Sequence, residues 1–170
     1  MYPQGYARPN LPRRLVLILA FASLSACGFT PVYGPGGSAG TLRGSILAAE
    51  PDDRKSFVFV ARLEERLGQP QSAPYLLNYT IRTTQQGLGI TPDQATTRFN
   101  ILGRVDYTLT DRATEAVLDT GSIENFAGFS ATGSIVGTLS ATDDANERLM
   151  VTLADQLVTR LTATAPDWLQ

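Results

Sequence analysis

The chain contains one cysteine, Cys27, and it closes the tetrapeptide Leu24-Ser25-Ala26-Cys27. That spacing matches the lipobox pattern Leu-(Ala/Ser)-(Gly/Ala)-Cys. In lipobox chemistry the thiol takes a diacylglycerol, the chain is cut before the cysteine, and the freed amine is acylated. The residues upstream fit this use. Arg8, Arg13 and Arg14 make the start basic, and Leu15 to Leu24 then run without a charge. Ten residues of helix reach only about 15 Å, half of a roughly 30 Å bilayer core, so the run is too short to span comfortably. A basic start, a short apolar run and small residues at its end describe a secretory signal instead. Arg13-Arg14 lacks the pattern that follows a twin-arginine pair, so ordinary secretory export is expected. With no second cysteine, no intramolecular disulfide can form. The expectation is a cleaved signal over residues 1–26 and a mature chain held by N-acyl (palmitate-type) and S-diacylglycerol lipid on Cys27. Several acyl chains together make a stable anchor. Gly28 follows the cysteine where an aspartate would retain the protein at the inner membrane of enteric bacteria. Delivery to the outer membrane is therefore expected.

Little else in the sequence could do chemistry. There is no histidine, which removes the usual base near neutral pH and the commonest metal ligand. Gly128-Phe129-Ser130-Ala131-Thr132 falls one residue short of a G-x-S-x-G nucleophile elbow. Asp52-Asp53, Glu64-Glu65 and Asp143-Asp144 are adjacent in sequence, and adjacent residues on a helix do not face one another across a cleft. Asp143, Asp144 and Glu147 could outline a cation site, but capping of a helix start accounts for them better. No cofactor and no metal is expected, and the chain reads as non-enzymatic. A phosphate loop is absent. Gly34-Pro35-Gly36-Gly37-Ser38-Ala39 matches G-x-G-x-x-A, but a dinucleotide site needs a strand before the glycines, and here the lipidated segment precedes them.

Charge narrows the partners. The chain has 14 basic and 16 acidic residues. Without Arg8, Arg13 and Arg14 the mature chain keeps 11 basic against 16 acidic, with no basic stripe. Nucleic acid is excluded as a general partner.

Residues 27–170 make one domain, large enough for a core without disulfides. Residues 27–44 read as the lipidated N-terminus and a flexible glycine-rich linker, 45–165 as the folded domain, and 166–170 as a tail. Ser45 to Pro51 reads as a short strand. A first helix is expected over Asp53 to Leu67, with Asp52 and Asp53 at its start. Phe57, Val60, Ala61 and Leu67 would form its apolar face, and Arg62, Glu64, Glu65 and Arg66 the other. Tyr75 to Gln85 alternates as a strand, followed by a loop at Gly87 to Ala95. Arg98 to Asp111 alternates again: Phe99, Ile101, Val105, Tyr107 and Leu109 point one way, and Arg98, Asn100, Arg104, Asp106, Thr108 and Thr110 the other. Asp111 to Glu115 is a turn. Ala116 to Phe126 is the return strand, with Gly121 marking a bulge. Gly128 to Ser140 reads as a loop with a short edge strand near Ile135. Ser140-Ala141-Thr142-Asp143 fits a capping box, and Leu149, Leu153, Leu157 and Leu161 line a helix over Thr142 to Ala163 that Pro166 stops. These elements predict an α+β two-layer sandwich: a four-stranded, mostly antiparallel sheet with two helices on one face. Its open face would carry Arg82, Arg98, Arg104, Asp106 and several threonines.

Cys27-Gly28-Phe29-Thr30-Pro31-Val32-Tyr33, the Arg98-to-Phe126 hairpin and the closing Asp143-to-Leu161 helix resemble the lipopolysaccharide-assembly lipoproteins, LptE, in their alphaproteobacterial form. The resemblance covers most of residues 24–163. It implies the same two-helix, four-strand fold and a role as plug and assembly factor of the outer-membrane β-barrel LptD, assisting insertion of lipopolysaccharide into the outer leaflet. It implies a place in the outer membrane, held by the lipid anchor, facing the periplasm or inside the barrel lumen. Chemistry alone nominates Arg82, Arg98, Arg104 and Arg112 for contact with lipopolysaccharide phosphates or with the barrel, because a guanidinium forks onto phosphate or carboxylate oxygens. The rival reading is an auxiliary lipoprotein of another envelope lipid-transport complex.

Overall fold

The computed structural model describes residues 38–70, 73–90, 96–131 and 134–169, all within one unit, Val32–Gln170. The expected signal over residues 1–26 and Cys27 lie outside the described residues. The order is α1 (Ser38–Leu42), β1 (Ile46–Ala48), α2 (Arg54–Leu67), β2 (Tyr75–Ile90), β3 (Thr96–Asp111), β4 (Val117–Ser130) and α3 (Ile135–Trp168). The strands form one sheet in the order β1-β2-β3-β4, with β1 parallel to β2 and the rest antiparallel. This is the expected α+β sandwich, with a third, short helix added. Part of the stretch read as a linker is that helix, and its Leu42 is fully buried in the core.

Helix α2 begins on a reciprocal cap. Asp53 accepts from the Ser56 amide at 2.7 Å, and the Ser56 hydroxyl accepts from the Asp53 amide at 2.9 Å. The cap satisfies two otherwise orphaned amides, and it phases the helix. Ser56, Phe59, Val60, Leu63 and Leu67 then face inward. The expected apolar face was wrong at two positions: Phe57 is 64% exposed and Ala61 is also outside. Arg62 and Arg66 do not simply face water. Arg62 grips Asp155 of α3 through Nε at 2.9 Å and a terminal nitrogen at 3.0 Å, and Arg66 adds a third bond at 3.0 Å. That clasp ties the two long helices together.

The strands run further than their alternation suggests. β2 and β3 each have 16 residues, about 53 Å at 3.3 Å per residue. The 34 residues of α3 span about 51 Å at 1.5 Å each, so the helix follows the whole hairpin. Leu149, Leu153, Leu157 and Leu161 are buried against the sheet, as their spacing predicts. At Gly103 the approach is closest: a Cβ there would stand 2.9 Å from Leu153 Cδ1 and 3.0 Å from Leu149 Cδ2.

Several boundaries differ from the sequence reading. Gly87 to Ile90 continue β2, and Gly128 to Ser130 continue β4. Gly121 is not a bulge. The register slips instead between Leu109 and Thr110, opposite Leu118. Gly121 is small because a Cβ would lie 3.1 Å from the Tyr107 hydroxyl, which accepts from Arg160 Nε at 2.6 Å and donates to Asp119 at 3.3 Å. Ile135 lies in α3, not in an edge strand. The helix is capped by Ser134, whose hydroxyl accepts from the Gly137 amide at 3.2 Å, so Ser140 to Asp143 are interior and form no capping box. Pro166 does not stop the helix either. It sits in the last turn, where its lost amide removes one bond. Buried Ala165 and the edge-on contact of Trp168 with Tyr75, centroids 5.2 Å apart, hold that turn against the domain.

Candidate functional site

The two faces of the sheet follow from period-two alternation. All the described helices lie on the inner face. The outer face carries Arg82, Thr84, Leu102, Arg104, Asp106, Glu124 and Phe126, with no covering layer among the described residues. Strand register sets Arg82 beside Arg104 and Arg104 beside Glu124. Two arginines directly opposite one another repel. Asp106, one pair along, resolves this: it accepts from Arg82 at 2.6 Å and from Arg104 Nε at 2.9 Å. Glu124 takes the remaining reach of Arg104. The result is a neutral four-residue network. The Arg104 hydrogen bond, helped by the Arg104 and Arg82 charges, holds the Asp106 carboxyl below its ordinary range, and the Asp106 bond raises Arg104 above its own.

The next row carries two exposed apolar side chains. Thr84, Leu102 and Phe126 stand side by side, with Leu102 43% and Phe126 63% exposed. Together with the charged row they line an open groove of about 620 Å³. An exposed aromatic beside balanced charges suits a surface that meets another macromolecule, because interface cores favour aromatics and arginine.

Of the four nominated arginines, the structure brings Arg82 and Arg104 together. Arg98 and Arg112 lie 14 residues apart on and just past β3, about 46 Å in extended chain. Arg112 sits at the β3–β4 turn and donates to the Ala73 carbonyl at 3.0 Å. Arg98 is exposed at the far end of β3 and lines a shallow depression with Leu88, Asn100 and Ser130. It has no ion-pair partner among the described residues. Asp106 was legible from the alternation. Glu124, Leu102 and Phe126 were missed, because the bulge at Leu118 blurs the alternation of β4 and Leu102 belonged to an otherwise polar set.

The acidic trio of α3 separates. Asp144 pairs with Arg148, while Asp143 and Glu147 line a small cleft with Arg54 and Lys55. Capping does not explain them, since the helix starts at Ile135. Among the described residues no group of three or more His, Cys, Asp or Glu could hold a metal ion. No described helix is long and apolar enough to cross a membrane.

Comparison with known proteins gives the context for this site. No curated protein matches the chain. Among solved structures, it resembles a putative lipoprotein from Caulobacter crescentus, with 20% identity, a TM-score of 0.62, and 78% of this chain and 98% of the other covered. It also resembles the rare lipoprotein B of Shewanella oneidensis, with 12% identity, a TM-score of 0.58, and 74% and 98% covered. A minor lipoprotein from Acinetobacter baumannii matches at 12% identity and a TM-score of 0.51, with 69% and 90% covered. These likenesses establish the fold. The family is established by the sequence itself, because the model of LptE, lipopolysaccharide-assembly, matches residues 40–161. A sheet with one helix-covered face and one open face, closed by a long C-terminal helix, is thus the fold of a chain that belongs to the LptE lipopolysaccharide-assembly family.

Proposed function

We propose that this protein is a lipid-anchored, non-enzymatic plug that sits within an LptD-type β-barrel of the outer membrane, helps that barrel assemble, and assists lipopolysaccharide on its way to the outer leaflet. The observation that carries the reading is the charge-balanced outer face of the sheet. The lumen of an outer-membrane barrel is polar. A plug inside it needs a rigid body and a polar exterior whose buried charges are already paired, since an unpaired charge taken out of water is costly. The network of Arg82, Arg104, Asp106 and Glu124 meets that demand, and Leu102 and Phe126 add a contact of higher affinity. Cys27 carries the anchor in this reading. Arg98, whose guanidinium is uncommitted among the described residues, is the arginine best placed to take a lipopolysaccharide phosphate. Arg82 and Arg104 support the surface rather than the ligand, and Arg112 holds the β3–β4 turn through the Ala73 carbonyl.

The test is affinity recovery of the tagged full chain from detergent-extracted outer membranes, with mass spectrometry of what accompanies it. A stoichiometric large β-barrel supports the plug. Recovery of inner-membrane transporter components instead would favour an auxiliary lipoprotein of another lipid-transport complex. For the ligand, Arg98→Ala should weaken lipopolysaccharide binding more than Arg112→Ala does. Equal binding by both variants and by the unsubstituted chain would remove Arg98 from the account. Cys27→Ser should release the protein from membranes into the soluble fraction.

A further inference from the structure

One cluster of charges in the helix layer stays unpaired. Arg54 and Lys55 of α2 and Asp143, Asn146 and Glu147 of α3 line a cleft of about 190 Å³, whose apolar lining is Val58 and the fully buried Met150. Elsewhere in this layer opposite charges within reach pair: Arg62 and Arg66 meet Asp155, and Asp144, next to Asp143, meets Arg148. Here they do not. Arg54, Asp143 and Glu147 make no ion pair and no side-chain hydrogen bond among the described residues. Lys55 gives one N–H to the Thr83 hydroxyl at 2.9 Å and keeps two. The Asn146 amide nitrogen donates to the Thr142 carbonyl at 3.0 Å, which leaves the amide oxygen as a spare acceptor.

The placement runs against local helix physics. Arg54 and Lys55 are the first two residues of α2, and its first turn holds no acidic residue, so two cations sit at the positive end of the helix dipole. Asp143 and Glu147 stand four residues apart on one face of α3, where like charges repel. Each pair destabilises its own helix, and neither relieves the other across the cleft. In natural proteins, local choices that conflict with the fold mark functional positions. The α2 wall of the cleft thus offers two cations and the α3 wall two carboxylates.

We infer that this cleft binds a phosphoethanolamine group. Each part of that group has a counterpart. The phosphate takes the Arg54 guanidinium, whose fork matches two of its oxygens, and the spare N–H groups of Lys55. The ammonium has three N–H donors, and the acceptors are Asp143, Glu147 and the Asn146 oxygen. The two-carbon link lies on Val58 and Met150. A purely anionic ligand would meet the two carboxylates, and a bare cation would meet Arg54 and Lys55, so the mixed walls select a group that carries both signs. An amino acid, whose charges share one carbon, lacks the link that the apolar lining covers. Size selects as well: at roughly 30 Å³ per water the cleft holds about six waters, room for a phosphate-and-amine group and too little for a nucleotide. The same chemistry occurs free and as the headgroup of a phospholipid. The cleft lies between the helices, away from the outer face of the sheet, so the inference stands apart from the plug reading.

The test is titration calorimetry of the full chain in an uncharged detergent. The probes are phosphoethanolamine, phosphocholine, inorganic phosphate and a short-chain phosphatidylethanolamine. Phosphoethanolamine should bind saturably. Phosphocholine, whose methylated nitrogen has no N–H, and phosphate alone should each bind at least about tenfold more weakly in Kd. Arg54→Ala and Glu147→Ala should each weaken phosphoethanolamine binding by about tenfold or more. Arg54→Ala also removes a cation from the positive end of α2 and should raise Tm, so binding is lost while stability is gained, and unfolding is ruled out as the cause. Tighter binding of the short-chain lipid than of the free compound assigns the site to a membrane headgroup; equal or weaker binding assigns it to the soluble compound. No saturable binding of either, equal binding of phosphocholine or phosphate, or full binding by Arg54→Ala would each overturn the inference.

Discussion

The two faces of one sheet differ more than any two elements of the molecule. On the inner face β3 presents Ile101, Gly103, Val105, Tyr107 and Leu109, all buried, against the leucine row of α3. On the outer face the same strand presents Leu102, Arg104 and Asp106 to the surroundings. The strands are shared, so backbone propensity cannot account for the contrast. Adjacent residues of one strand do different work: the inner set holds the fold, and the outer set is free to be selected for what it meets.

Mutations should separate the faces, and the largest effects belong inside. Leu153→Ala removes a fully buried side chain at the closest approach of α3 to the sheet and should destabilise by about 2–5 kcal/mol in denaturant unfolding. Phe126→Ala, outside, should leave stability nearly unchanged while weakening recovery of the barrel. Comparable destabilisation by both would erase the distinction between faces.

Gly103→Ala comes next. The added methyl meets Leu153 Cδ1 and Leu149 Cδ2 at about van der Waals overlap, and such overpacking costs roughly 1–3 kcal/mol. Gly128→Ala on the outer face meets chiefly the end of the Asn100 side chain, which can turn aside, and should be close to neutral. The pair is read by thermal unfolding, and the order Gly103 worse than Gly128 is the prediction.

Asp53→Ala removes the cap of α2 and should cost about 0.5–2 kcal/mol. Asp53→Ser keeps an acceptor and should recover most of it.

The smallest effects are those of pH, and they too divide. Asp53, Asp106 and Asp111 are held below their ordinary values: Asp53 chiefly by the Ser56 amide, Asp106 by Arg104, and Asp111 by the Thr114 amide. A lowered carboxyl stabilises the fold above its unfolded value, about 3.9, and that contribution is lost as pH falls through the folded value. Acid weakening therefore begins below about pH 4 and involves the cap, the β3–β4 turn and the outer network. Burial pushes Tyr79 and Tyr107, on the inner face, above the usual tyrosine value. The unfolded chain then loses its tyrosine protons first, so stability falls as pH rises above about 10. Tyr107→Phe should blunt the alkaline loss and leave the acid one. Unchanged alkaline behaviour would show that burial of this hydroxyl does not set the limit.

How much of this was legible in the sequence varies with the kind of signal. The alternation of Arg98 to Asp111 and the leucines at fourth positions in α3 gave strand, helix and core face correctly, because a buried apolar periodicity leaves a trace in residue type. The first seven residues of α3 left none: Ile135, Val136 and Leu139 are exposed, and glycines surround them, so the helix start was invisible and Ser134 was passed over for Ser140. The face of α2 was misread because the cap, a contact between Asp53 and Ser56, fixes the phase by one residue. On the outer face the arginines stood out in the sequence, whereas their partner Glu124 did not, since cross-strand register decides that pairing. Arg98 and Arg112 looked equivalent to Arg82 until the strand placed them at opposite ends.

The central claim is that the open face of the sheet meets a barrel wall. A photo-reactive residue in place of Phe126, introduced in cells and irradiated before the outer membranes are extracted, tests it most directly. The account predicts one dominant adduct, a large β-barrel of the LptD type. No barrel adduct from position 126, or adducts with transporter components instead, would contradict it.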